Sequence, residues 1–208
     1  MNNLKVSKYC HIKSNKVFIN GEMIFEDNDA VGLKAFSKSF YRFLKPSYNK
    51  FFKMDEISRL GFLSAEVLLK DVDLLNYSSD EVGLVLSNSD STLITDKNHQ
   101  HSIEDINRFF PSPSVFVYTL PNIMIGEIAI RHKFRGENAF FVVEKFNAEL
   151  ITNHINSLFL TKKSKAFVGG WVNHSVDDYE AFLYMASDEG GNLHNAQNIK
   201  NLYNINLG

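Results

Sequence analysis

A nucleophile, a base or a metal site in this 208-residue chain would have to be drawn from one cysteine, seven histidines and scattered carboxylates, lysines and serines. Cys10 stands alone, which excludes an intramolecular disulfide and any multi-cysteine zinc site. It reads as a buried or half-exposed strand residue rather than a reactive thiol. His99 and His101 are the only histidines close together, but they sit in a polar loop and no further histidine or cysteine lies near them in sequence. That pair does not make a metal site, and no metal or cofactor is expected.

The elements that would hold such residues can be read from caps, turns and periodicity. Asn20-Gly21, between Val17-Phe18-Ile19 and Met23-Ile24-Phe25, suits the positive φ angles of a two-residue hairpin turn. Residues 30–52 carry aromatics among basic residues before and after Pro46, and read as a docking arm or a covered flank. From Asp55 a helix is signalled by Asp55 and Glu56 at its start and by Ile57, Leu60, Gly61, Ala65 and Leu68 at helical spacing. Val82–Ser87 reads as a buried strand and the polar stretch 88–107 as a loop with at most a short helical piece. Pro111, Pro113 and Pro121 impose an extended path before a helix from Pro121 or Asn122 to His132. Residues 139–143 form the next strand, and Asn147 caps a helix whose apolar face is Leu150, Ile151, Ile155, Leu158 and Phe159. Strands over 166–172 and 181–186 follow, then a Gly190-Gly191-Asn192 turn.

Strands alternating with helices predict an α/β fold, a layered mixed five-stranded sheet with helices on both faces and a small N-terminal hairpin. The boundaries expected are 1–50 for the hairpin and aromatic flank, 51–190 for the main domain and 191–208 for a polar tail. Hydrophobic residues at 44% and charged residues at 22% suit a globular core, and 18 Phe point to a bulky core or an apolar contact surface. A net charge of -2 gives no field to gather a polyanion, so nucleic acid is not an expected partner. No apolar run is long enough for a membrane helix and the first 16 residues lack the apolar centre of a secretion signal, so a cytoplasmic protein is expected.

Several stretches, in order, resemble the N-terminal half of the beta-ketoacyl-acyl-carrier-protein synthases, in the thiolase-like group. They are Lys53-Met54-Asp55 with its small-residue helix, the strand Val82–Ser87, and Ala166-Phe167-Val168-Gly169-Gly170. The most specific is Leu120-Pro121-Asn122, Gly126, Ile128-Ala129-Ile130-Arg131 and Arg135-Gly136-Glu137-Asn138. The resemblance covers roughly residues 50–187 and makes Pro121, Asn122, Gly136, Asn138, Gly169 and Gly170 structural motif positions.

The resemblance also implies a nucleophilic cysteine after the strand that follows Gly136 and Asn138, at a helix N-terminus where dipole and backbone N–H groups favour a thiolate. Lys145 falls there, or Glu144 if the count runs back from Gly169-Gly170, and neither count finds a cysteine. A lysine would give an amide too stable for acyl relay. The catalytic histidines of the resembled family belong to its C-terminal half, and none of the seven here sits in such a motif. Ser87 and Ser89 are the other conceivable acyl carriers, although at Ser87 a small side chain is sufficient reason for the residue. The expectation is therefore a non-catalytic relative, an accessory subunit in fatty-acid, polyketide or polyene assembly. It would pair as a homodimer or with a full-length ketosynthase through Phe140, Phe141, Val142 and Val143, with an acyl carrier protein as a further partner. The alternatives are an acyltransferase with relocated chemistry, or a non-catalytic module that binds an acyl chain or carrier protein.

Overall fold

The computed structural model describes residues 3–176 and 178–205. Its backbone is one eight-stranded sheet in the order β3-β2-β1-β7-β6-β4-β5, with β8 paired to β1 off that path. The strands are β1 (Lys5–Lys13), β2 (Lys16–Ile19), β3 (Glu22–Glu26), β4 (Val82–Asn88), β5 (Asn138–Val142), β6 (Ala166–His174), β7 (Tyr179–Ser187) and β8 (Asn192–Leu193). The helices are α1 (Gly32–Leu44), α2 (Glu56–Leu69), α3 (Leu93–Ile103), α4 (Pro113–Val117), α5 (Ile123–His132), α6 (Ala148–Leu160) and α7 (Ala196–Tyr203).

The layered α/β class holds, but eight strands replace the expected five. The difference lies at the N-terminus. The hairpin forms as read, with Asn20 at φ 52° and Gly21 at φ 87°, yet β1 docks antiparallel on β7 and carries β2 and β3 into the main sheet. Parallel pairing is confined to β5-β4-β6, and every residue of β4 is buried, as expected for a strand covered on both faces.

Each face has its own core. On one side α1, α2 and α5 contribute Phe36, Phe40, Leu60, Leu63, Leu68, Met124 and Ile128 against Ile12, Leu84, Val168 and Leu183. On the other, α6 and α7 bring Ile151, Ile155 and Ile199 onto Val85, Phe167, Phe182 and Tyr184. Phe36 and Phe40, at helical spacing in the aromatic flank, are fully buried, so that segment is a core helix with one outward face rather than a free arm. Each such ring stabilises the fold by roughly 2–3 kcal/mol through burial alone.

Local signals explain the helix starts. Asp55 accepts from the Ser58 amide and Asn147 from the Leu150 amide, so both caps serve as read. Gly61 lets α5 approach α2 closely, since a Cβ there would stand 2.4 Å from the Met124 sulfur. Two readings need correction. Residues 93–103, read as mostly loop, are the helix α3; it lies on the surface and has no apolar stripe to betray it, and Thr95 anchors it by donating to Asp55 at 2.7 Å. Of the tail, residues 192–193 pair with β1 and residues 196–203 form α7, capped by Asn195 and packed on α6 through the buried Ile199, while residues 206–208 lie outside those described.

Candidate functional site

The carboxyl ends of the parallel strands converge on the turn from β5 to α6, where the resemblance places a nucleophile. Val143 donates its amide to the Asn88 carbonyl at 2.8 Å, the chain bends through Glu144 and Lys145, and Asn147 then caps α6. Glu144 and Lys145 are both exposed, and Lys145 lies two residues before the cap. Its side chain is exposed rather than enclosed in an apolar pocket, the setting in which desolvation turns a lysine into a nucleophile. Cys10 cannot substitute. It is fully buried in β1, and burial pushes its thiol well above the usual range.

Behind the turn lies a small cavity of about 180 Å³ lined by Lys145, Phe146, Trp171, Asn173, Glu180 and Tyr203. Its polar wall is already satisfied. Tyr203 donates its hydroxyl to Glu180 Oε2 at 2.7 Å, and His11 Nε2 meets Glu180 Oε1 at 3.1 Å. Burial alone would push the Glu180 carboxyl up, but His11, Tyr203 and Lys13 hold it below the usual carboxylate range. These groups join β1, β7 and α7 in one knot. Sequence reading missed this cluster because its members lie 169 and 23 residues apart.

The serines and glycines singled out by sequence sit deeper. Ser87 is buried and donates to the Gly170 carbonyl at 3.4 Å; Ser89 Oγ donates to Asp90 Oδ2 at 2.8 Å. A Cβ on Gly170, at φ 152°, would lie 2.0 Å from the Phe182 carbonyl oxygen, and one on Gly169 would lie 2.6 Å from the Tyr184 ring. On Gly136 it would lie 2.4 Å from the Val82 carbonyl oxygen. Asn138 opens β5 opposite Leu84, and Pro121-Asn122 leads into α5 with Asn122 at the cap position but with no side-chain bond.

Among the described residues β5 forms one border of the sheet and pairs only with β4. Ala139, Phe141 and Val143 pack toward α6 and Phe140 toward the opposite core, while Val142 is 52% exposed. Since the Val143 amide points at β4, the amides of Phe140 and Val142 point outward, by the alternation of a strand. The border is thus uncharged, apolar and open to further pairing. Before α5, Ile106, Phe109, Phe110, Phe116 and Leu120 are also exposed, on and ahead of α4 and just after it.

A second concavity, about 240 Å³, opens at the start of α2 between Asp55, Thr92, Thr95, Tyr118 and His174. Burial raises the Asp55 carboxyl against the hydrogen bonds from Ser58 and Thr95, and burial lowers His174 against the pull of Glu56 and Asp55. Among the described residues no group of three or more His, Cys, Asp and Glu is placed to hold a metal. His99 faces Phe116 while His101 bonds the Lys97 carbonyl at 2.9 Å, so they do not converge.

No family model and no curated protein matches the chain. Solved structures do. The ishigamide ketosynthase/chain length factor aligns with a TM-score of 0.66 at 14% identity, covering 89% of this chain and 62% of that one. The fold is ketosynthase-like. An AntDE:AntF structure, a type II PKS acyl-carrier protein in complex with its ketosynthase, gives 0.60 at 14% identity over 90% of this chain and 63% of that one. A ketosynthase (ApeO) in complex with its chain length factor (ApeC) from Xenorhabdus doucetiae gives 0.58 at 11% identity over 97% and 90%. The chain therefore spans about three-fifths of the first two neighbours.

On the outward side of α6, Glu149, Asn153 and Ser157 are exposed, and α7 packs along the helix. No helix among the described residues is long and apolar enough to cross a membrane.

Proposed function

We propose that this chain is a ketosynthase-like partner subunit without condensing chemistry of its own, serving fatty-acid, polyketide or polyene assembly. The observation that carries the reading is the pairing of an open, apolar β5 border with an adjoining turn that offers an exposed lysine in place of a thiolate. A strand border of this kind is an aggregation hazard unless another chain covers it. A ketosynthase is the fitting cover, since a border strand of the same fold supplies matching backbone groups and apolar side chains. The neighbouring structures of ketosynthases with a chain length factor or a carrier protein support that choice, with a carrier protein as the natural third component.

The test is co-expression with the ketosynthases of its source, followed by light scattering of the purified species and analysis of their products. A stoichiometric complex with altered product length is expected. A stable monomer at high concentration that changes neither ketosynthase association nor product would overturn the reading. In parallel, incubation of the pure chain with acyl thioesters should give no adduct by mass spectrometry. An acyl group on Lys145, Ser87 or Ser89 would instead establish relocated chemistry.

A further inference from the structure

The concavity of about 240 Å³ at the start of α2 is lined by charges of both signs. Lys34 of α1 and Lys53, in the turn before α2, are exposed on one part of it, and Asp55 and Glu56 line another. Among the described residues, no ion pair joins either lysine to either carboxylate. Glu56 meets His174 Nε2 at 3.8 Å, too far for a hydrogen bond, and burial keeps that imidazole neutral near pH 7. Glu56 suits the positive end of α2, which accounts for its own charge but not for the two cations that share its cavity.

The frame around these charges is tied together from several elements. Thr95 of α3 donates to Asp55 at 2.7 Å, and Thr92 donates to the Thr119 carbonyl beyond α4 at 2.7 Å. Tyr118 donates to Glu127 of α5 at 2.8 Å, and Glu127 in turn pairs with Lys50 at 2.8 Å. The cavity is therefore formed before any ligand arrives. Met54, Ile57, Ile94 and Val115 give it an apolar wall. It opens at the carboxyl ends of two parallel strands, since Ser91 and Thr92 follow β4 and His174 closes β6. Open α/β sheets take small ligands at that edge.

We propose that this cavity binds a small zwitterion of the amino-acid class, with its ammonium toward Asp55 and Glu56, its carboxylate toward Lys34 and Lys53, and its side chain on the apolar wall. The volume lies below the roughly 300–1,000 Å³ of sites for drug-sized ligands, which suits a molecule of that size. A nucleotide or other polyanion would be set against Asp55 and Glu56, and a polyamine against Lys34 and Lys53. A ligand with one charge of each sign satisfies both parts of the lining. The site belongs to one chain alone and needs neither a ketosynthase nor the β5 border.

The test is isothermal calorimetry of the pure full chain against the common free L-amino acids near neutral pH. One with an apolar side chain should bind with a Kd of about 10 μM to 1 mM. Its N-acetyl derivative, which lacks the ammonium, and its methyl ester, which lacks the carboxylate, should each bind at least about tenfold more weakly. K34Q/K53Q and E56Q should each weaken binding of the free amino acid by about tenfold with unchanged thermal midpoints, whereas K133Q/K162Q, outside the cavity, should bind as the parent does. The inference fails if no free amino acid gives a binding heat at about 10 mM, or if either singly charged derivative binds as tightly as the amino acid itself. It also fails if K34Q/K53Q or E56Q leaves the affinity unchanged, or if K133Q/K162Q weakens it equally.

Discussion

Tyr184 donates its hydroxyl to His194 Nε2 across 3.1 Å, while His194 Nδ1–H is taken up by Asn156 Oδ1 at 3.0 Å. These partners fit one neutral tautomer of the imidazole and tie β7, α6 and the segment leading into α7 together. A protonated ring would lose the bond from Tyr184.

Burial pushes His194 down to about 4. Its folded value is therefore below the unfolded value of about 6.5, and the unfolded chain takes up the extra proton. The contribution is fully present above about pH 6.5 and is lost as the pH falls toward 4, by roughly 3 kcal/mol. Urea denaturation at about pH 7 and about pH 4.5 should show this loss. H194N should be less stable at neutral pH and show a flatter profile; parallel profiles for the two proteins would remove His194 as the cause.

Two glycines should respond in opposite directions to alanine. G170A places a methyl group against the Phe182 carbonyl and should cost more than about 3 kcal/mol or abolish soluble expression. G126A adds a methyl group inside α5 where nothing lies within 4 Å, and should stabilise by about 0.5–1 kcal/mol. Chemical denaturation of both variants is the measurement.

Arg131 grips Glu66 with both arms, Nε to Oε1 at 2.7 Å and an Nη to Oε2 at 3.0 Å, and also reaches the Pro46 carbonyl at 2.8 Å. Burial would push the Glu66 carboxyl up, but His132 and Arg131 hold it below the usual range. R131A strands a nearly buried carboxylate with His132 alone, and should cost about 2–4 kcal/mol. R131A combined with E66A should cost less than the sum of the two single changes, because the stranded charge is gone; strict additivity would show that the pair does not couple.

The β5 border can be closed without disturbing the ladder. Val142 points its amide away from β4, so V142P removes an outward donor and leaves the pairing with β4 intact. Light scattering should show any self-associated or ketosynthase-bound form of the parent reduced to monomer, with the circular dichroism spectrum retained. Complex formation undiminished by V142P would place the contact elsewhere.

Elements with local punctuation were legible in the sequence: α2 behind Asp55, α6 behind Asn147, and the hairpin at Asn20-Gly21. α1 and α7 carried usable signals, Phe36 and Phe40 in one case, Asn195 with Ile199, Leu202 and Tyr203 in the other. Basic and polar residues diluted both. α3 had no such signal, since tertiary contacts such as Thr95 with Asp55 hold it. The turn around Lys145 followed from motif counting, but that β5 ends the sheet depends on the global strand order, which no local pattern encodes. The cluster of His11, Glu180 and Tyr203 was invisible for the same reason.

Cys10, sealed between β2 and β7 with no exposed surface, gives the protein an internal clock. A thiol reagent can reach it only when the middle of the sheet parts, and burial keeps the thiolate scarce until then. The rate of labelling therefore times the opening of that region without any introduced probe. Slower labelling in the presence of a bound partner would register that partner's grip on the whole sheet, even where the two chains touch only along β5.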